Sequence, residues 1–235
     1  MTIIEICVDT LEGIDAARTA GADRVELCRE LGCGGLTPPD DLIAAALPRC
    51  PADGLQVLVR SRPGDFVYTD EEIAGMCADI ERIRGLFEGA SVPCGFVVGA
   101  LTSDDLIDET AATRFREAAG GHRLTFHRAF DLVPDKSGAL EELIRLNYQR
   151  VLTTGCNKPV ADPLALKKLV EQSRGRILLL ASGGLRSSNV SEVLQLSAAP
   201  EVHMRAPLHQ VPAGVQGTDP DEVARIVRAI DRART

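Results

Sequence analysis

The sequence predicts a (β/α)8 TIM barrel, and three observations predict it. Eight short aliphatic segments with period-two alternation recur along the 235 residues, each followed by a stretch of helical periodicity. No linker, low-complexity run or shift in composition interrupts the series, so residues 1–235 read as one domain. Aromatic residues are scarce, with no Trp, two Tyr and six Phe, which leaves Val, Leu, Ile and Ala to fill the space between strands and helices. An open doubly wound sheet is the competing architecture. It would need the strand order to reverse, and no GxGxxG follows any of the segments.

Taken in order, the strand segments are "TIIEICV" (2 to 8), "RVELC" (24 to 28), "LQVLVR" (55 to 60), "CGFVVGA" (94 to 100), "HRLTFH" (122 to 127), "QRVLTT" (149 to 154), "RILLLA" (176 to 181) and "EVHMRA" (201 to 206). Helix starts stand between them. Thr37 precedes "PPD", Thr69 precedes "DEE" with Glu72 at the capping-box position, Asp162 precedes Pro163, and Asp219 precedes Pro220 with Glu222 three residues on. Apolar stripes follow, such as Ile73, Met76, Ile80 and Ile83, or Val223, Ile226, Val227 and Ile230, which mark faces turned to a core.

Composition excludes several function classes. Lys and Arg total 26 against 34 Asp and Glu, a net charge of −8 with a pI of about 5.1, so neither nucleic acid nor an anionic membrane is an expected partner. No unbroken apolar window reaches the roughly 18 residues a membrane span needs, and no basic segment followed by an apolar h-region opens the chain. A cytoplasmic protein is the expectation. The seven cysteines, at 7, 28, 33, 50, 77, 94 and 156, are odd in number and show no repeated CxxC, which suits free thiols in a reducing compartment. No organic cofactor motif is present, and a symmetric homodimer is the default assembly with no patch to argue for it.

Alternation then sorts the candidate functional residues. With Ile4, Ile6, Val8, Val25 and Leu27 facing the helices, Glu5, Cys7, Glu26 and Cys28 face the barrel interior. Buried carboxylates need positive partners or an open end. Arg60 and Arg62 after the third strand, His127 and Arg128 at the end of the fifth, and His203 with Arg205 on the eighth are the expected partners, all at the C-terminal ends where such barrels place their chemistry. Asp65 and Asp131 join them from the following loops. Two readings stand for each. Glu5 and Glu26 either do chemistry or hold the mouth together through Arg60 or Arg128, and Cys7 and Cys28 are either reactive thiols or small buried hydrophobes. His122 and His209 read as surface residues. "ASGGLRSSN" after the seventh strand has the form of a glycine-rich turn into a helix N-terminus, with Gly183 and Gly184 offering amides to an anion.

Together, "EICVDT", "GADRVELC", "GGLTP", the stretch from Arg60 to Tyr68, "LTFHRAFD", "RVLTTG", "SGG" and "EVH" resemble the copper homeostasis protein CutC family, in the family's order and over nearly the whole chain. The resemblance implies a TIM barrel and a role in intracellular copper binding or tolerance. It also implies that the thiols proposed for copper fall on Cys7 and Cys28, and that Glu5, Glu26, Arg60, Arg62, Asp65, His127, Arg128, Asp131 and His203 occupy the family's recurring polar positions. The chain departs from the pattern at Ser61, where the family reads Pro, at Arg205, where it has a small Ser, and in a shortened loop ending near Gly217.

Two functions are therefore expected to compete. The first is a Cu(I)-handling protein in which two inward thiolates on neighbouring strands bind the soft ion, with His127 or His203 as an optional third ligand, His203 being the one expected. The second is an enzyme for a small anionic metabolite, phosphorylated or carboxylated. In it Arg60, Arg62 and Arg128, with Gly183 and Gly184, bind the anion, Glu5 or Glu26 is the general base, His127 the general acid, and Asp131 part of the same catalytic group.

Overall fold

A computed structural model describes residues 2–208 and 217–233. Its strands are β1 (Ile3–Val8), β2 (Arg24–Leu27), β3 (Leu55–Leu58), β4 (Cys94–Val98), β5 (Arg123–Phe126), β6 (Arg150–Thr153), β7 (Leu178–Ala181) and β8 (Glu201–Met204). The helices are α1 (Leu11–Thr19), α2 (Asp40–Ala46), α3 (Asp70–Leu86), α4 (Glu109–Ala118), α5 (Lys136–Arg145), α6 (Pro163–Ser173), α7 (Val190–Ser197) and α8 (Pro220–Ala233). All strand pairings are parallel, and β8 returns to β1 to close the barrel in sequence order. The predicted (β/α)8 architecture is the observed one. His209 and most of the shortened loop lie outside the described residues.

Local chemistry starts the helices where the sequence marks them. Thr69 and Glu72 form a reciprocal capping box on α3, and the Asp162 carboxylate accepts from the Leu164 and Ala165 amides ahead of Pro163. Thr37 behaves differently from expectation. Pro39 takes the N-cap position of α2, while the Thr37 hydroxyl accepts from the Arg60 amide at 2.9 Å and so ties the loop after β2 to the end of β3.

The two faces of the strands are chemically unlike. Outward residues such as Ile4, Ile6, Val25, Val57, Phe96, Phe126, Val151 and Val202 are buried under the helix stripes, including Ile73, Met76, Ile80 and Ile83 of α3. Each fully buried aliphatic side chain contributes about 1.5–3 kcal/mol, so this outer layer supplies the stability. The inside is not the usual aliphatic stack. A small cluster of Cys7, Cys28, Leu31, Leu58 and Val97 is its apolar part, and below it lie Glu5, Arg24, Arg150 and Glu201, all under 4% exposed.

Candidate functional site

Along β2 the inward positions are Arg24, Glu26 and Cys28, climbing toward the mouth in two-residue steps of roughly 6.6 Å. Register sets Glu5 opposite both Arg24 and His203, and Cys7 opposite Glu26. An unbroken chain of charges results. Arg24 Nε donates to Glu5 at 2.5 Å and its Nη2 to Glu201 at 2.6 Å, Arg150 Nε donates to the same Glu201 oxygen at 2.8 Å, and His203 Nδ1 lies 2.7 Å from Glu5 Oε1. Glu26 Oε2 stands 4.0 Å from His203 Nδ1 and has no hydrogen-bond partner among the described residues.

Charge sets the protonation states. Burial alone would raise the Glu5 carboxyl, but the Arg24 guanidinium and His203 outweigh it and hold the group at about 2. Burial pulls His203 down, while Glu26 and the bonds to Cys7 and Glu5 raise it well above its ordinary value. Glu26 is raised, first by burial and then by Glu5, against the pull of His203, Cys7 and Arg24. The mouth thus sets an imidazole whose protonated form is favoured beside a carboxyl group with one oxygen unpartnered among the described residues.

The thiols meet here as well. Cys7 Sγ lies 3.9 Å from Cys28 Sγ and 3.5 Å from a Glu26 oxygen. Its hydrogen bond with Cys28, then burial, then the Glu26 charge raise the Cys7 thiol well above its ordinary value. Ligand atoms of Cys7, Glu26 and His203 all fall within 4.8 Å of one another. Gly35, at φ +90°, lets the loop after β2 close over this corner, since a Cβ there would lie 2.7 Å from Leu58.

Cys7, Glu26 and His203 open into a cavity of about 620 Å³, whose wall also carries Arg60, His127, Arg128, Asp131, Lys158 and Arg205, while Cys28 is fully buried and stands outside the lining. Several expected roles change on inspection. Glu5 and Glu26 do not pair with Arg60 or Arg128; their cationic partners are Arg24 and His203. Glu5 is wholly buried and held ionised by Arg24, which removes it from the cavity wall as a base. His127 is pushed down to about 3, by burial and then by Arg60, so it is neutral and not a general acid near pH 7. Asp131 accepts from Thr153 Oγ1, the Thr154 amide and Arg128 Nε, which makes it a clamp between the ends of β5 and β6.

Two further expectations fall away from the cavity. Arg62 bonds Asp65 and Glu72 and lies over the Tyr68 ring, outside the lining residues, because its side chain folds back onto the start of α3. Gly183 and Gly184 also stand outside it. The Gly183 carbonyl accepts from the Ala161 amide, and the Ser187 amide and hydroxyl just ahead of the following helix are taken by the Glu222 carboxylate. His122 is half-buried between Phe87 and Phe96 instead of lying at the surface.

Arg24, Arg150 and Glu201 escaped the sequence reading, although each sits at an inward position two residues from a named candidate or at the start of a strand. Lys158 escaped it too. Its loop after β6 carries no pattern that aims a side chain at the mouth.

Comparison with known proteins accords with this arrangement. A model of the CutC family matches residues 2–207. The family protein CutC of Mesorhizobium japonicum is 42% identical over 221 residues, covering 94% of this chain and 83% of its own. The human copper homeostasis protein cutC homolog is 40% identical, over 87% of this chain and 73% of its own. The crystal structure of the putative copper homeostasis protein CutC from Streptococcus agalactiae superposes with a TM-score of 0.79 at 31% identity, covering 86% of this chain and 98% of that one. Phosphoribosylanthranilate isomerase of Thermotoga maritima shares the fold alone, with a TM-score of 0.62 at 14% identity over 99% of this chain and 100% of that one. A family match spanning both thiols, the charge chain and every strand of the barrel leaves one conclusion: the chain belongs to the CutC family.

Proposed function

We propose that the protein binds Cu(I) at the barrel mouth through Cys7 and Cys28 and serves copper homeostasis in the cytoplasm, where reduced thiols persist. The observation that carries this reading is the 3.9 Å separation of the two sulfurs. With metal–sulfur bonds of about 2.3 Å, that spacing corresponds to an angle a little under 120°, suited to a three-coordinate ion. A ring nitrogen of His203, in the same cluster as Cys7, is the third donor. Soft sulfur selects Cu(I) over hard cations, and binding must displace both the thiol protons that the pair now holds and a proton of the His203 imidazole, which Glu26 and Glu5 hold on the ring. The copper homeostasis name carried by the human, mouse and nematode relatives supports the same assignment.

The test is anaerobic competition for Cu(I) against a colorimetric chelator, with the protein and with its Cys7→Ser, Cys28→Ser double variant. We expect the variant to lose binding by about a hundredfold or more, in line with the loss of two coordinate bonds. Equal affinity in the two proteins would remove the copper assignment.

A second reading draws on the cavity volume. About 620 Å³ is the size of a metabolite site and far exceeds one ion. Here Glu26 is the base, and His203, oriented by Glu5 and held protonated, is the acid, the role that neutral His127 cannot fill. Turnover of a small phosphorylated or carboxylated hydroxycarbonyl that disappears in Glu26→Gln would establish it, and a screen with no turnover in the wild type would remove it.

A further inference from the structure

Two residues of the cavity wall each carry a buried hydrogen-bond donor that has no acceptor among the described residues. One is Arg60 Nε and the other is His127 Nε2. Both residues are more than nine-tenths buried and both line the cavity. Each is held so that the donor cannot turn away to find a partner.

Arg60 uses the rest of its guanidinium on backbone carbonyls. Nη1 donates to Cys33 and Gly35 and Nη2 to Gly64, which fixes the plane of the group. No carboxylate of the described residues pairs with it. A guanidinium stays charged at every accessible pH, so this is a buried positive charge answered by carbonyl dipoles, a ring face and the neighbouring Tyr68 hydroxyl, none of them anionic. That ring is Phe66, whose centroid lies 4.9 Å from Arg60 Cζ.

His127 is fixed by its other nitrogen. The Ala129 amide donates to Nδ1 at 3.2 Å, so the lone pair is on Nδ1 and the proton of the neutral ring is on Nε2. Phe66 packs against this ring as well, at 4.7 Å between centroids. The Phe66 carbonyl accepts from the Leu101 amide, which pins the loop after β3 that carries it. Nε2 therefore presents N–H, not a lone pair, and cannot ligate a metal without giving up the Ala129 bond.

Two fixed donors and an unanswered positive charge ask for an acceptor that is itself negative. The rest of the wall has the matching sign: Arg128, Lys158 and Arg205 line it against Glu26 and Asp131, and Asp131 is already engaged by three donors. We propose that Arg60 Nε and His127 Nε2 form a two-donor anchor for the anionic group, a carboxylate or a phosphate, of a small organic molecule that occupies the mouth cavity. The anchor deepens the second reading of the mouth, needs neither copper nor turnover, and uses none of the proposed copper ligands.

The experiment titrates the chloride-exchanged protein, at constant ionic strength, with inorganic phosphate in one arm and malonate in the other. Thermal stability and the histidine side-chain ¹H–¹⁵N signals are followed together. A saturable rise in Tm with a shift of the His127 Nε2–H signal is expected in at least one arm, since a ligand that binds only the folded state stabilises it. Response to phosphate alone assigns a phosphorylated ligand, to malonate alone a carboxylated one, and to both a site that reads charge. Arg60→Gln and His127→Phe should each weaken the response by about tenfold or more, as expected for loss of a bond to a charged group, while the surface variant Lys167→Ala leaves it unchanged. A wild-type His127 signal that stays still in both arms, or equal affinities in wild type and variants, overturns the anchor. Should Arg60→Gln fail to fold, the wild-type imidazole signal and His127→Phe still decide. Saturable binding with no turnover of any substrate would refute the enzymatic reading and leave the anchor standing.

Discussion

His203 Nδ1 and Glu5 Oε1 stand 2.7 Å apart, although 198 residues separate them in the chain, because closure of β8 onto β1 sets the two opposite one another. The bond orients the imidazole from beneath. Glu5 is in turn oriented by Arg24, Arg24 by Glu201, and Glu201 by Arg150, so the ring at the mouth rests on a stack of charge that reaches toward the N-terminal end. Replacing such ion pairs by hydrophobic residues is often neutral or stabilising, whereas breaking one side is costly. The stack therefore does little for global stability that aliphatic side chains would not do better, and its consequence is the fixed position and charge of His203.

Removing Arg24 tests that asymmetry. Arg24→Met leaves Glu5 and Glu201 buried with part of their positive charge gone, and stability should fall by about 3–5 kcal/mol in urea unfolding. Adding Glu5→Gln to the same protein should recover part of the loss, because the orphaned charge goes with its partner. A second substitution that only adds to the first loss would show that the pair is not coupled.

Acid should unfold the protein partly through Glu5. Its carboxyl sits at about 2 in the folded chain against an ordinary 4.5, so its contribution is full above about 4.5 and disappears as pH falls toward 2. The amount is on the order of a few kcal/mol. Stability measured from pH 6 down to pH 2 should fall steeply in the wild type and less steeply in Glu5→Gln. His203 works in the opposite direction. Its raised value gives stability that is full below about 6.5 and is lost as pH rises through the folded-state value, so His203→Gln should flatten the alkaline limb.

Much of this was legible in the sequence, and the rest was hidden for physical reasons. Alternation placed Glu5, Cys7, Glu26 and Cys28 inside before any coordinates, because the outward face is uniformly aliphatic and the side-chain period of a strand is two. Arg24 and Glu201 obey the same alternation. Both open their strands, where a charge normally reads as solvated, and only closure of the barrel reveals that they meet. The clamp role of Asp131 and the tautomer of His127 depend on backbone donors at Thr154 and Ala129, which leave no trace in residue type. The glycine-rich turn is misleading because Gly183 and Gly184 stand outside the cavity and the nearby Ser187 amide is taken by Glu222 of α8.

Thiol reactivity should separate the cysteines by position. Cys33 is exposed on the loop after β2, while Cys7 and Cys28 are buried and Cys7 is raised well above its ordinary value. Because the thiolate is the reacting species, iodoacetamide at pH 7.5 should label Cys33 quickly and Cys7 and Cys28 slowly, as read by peptide mass mapping. Equal labelling of all three would mean that the mouth opens far more readily than its packing implies.

Gly99, just past β4, offers a substitution whose sign is set by one contact. Glycine in extended chain is ordinarily a weakness, and alanine would gain backbone entropy there. A Cβ at this position, however, would lie 2.4 Å from His127 Cε1 and 2.5 Å from Nδ1. The ring cannot retreat easily, since Phe66 and Phe126 pack near it at 4.7 and 5.9 Å and the Ala129 amide holds Nδ1. Overpacking of this kind costs about 1–3 kcal/mol, more than the glycine replacement recovers, so Gly99→Ala should lower stability. It should also move the His127 side-chain NMR signals and weaken any anion held by Nε2. An alanine variant as stable as the wild type, with unmoved imidazole signals, would mean that the His127 ring is not confined against Gly99.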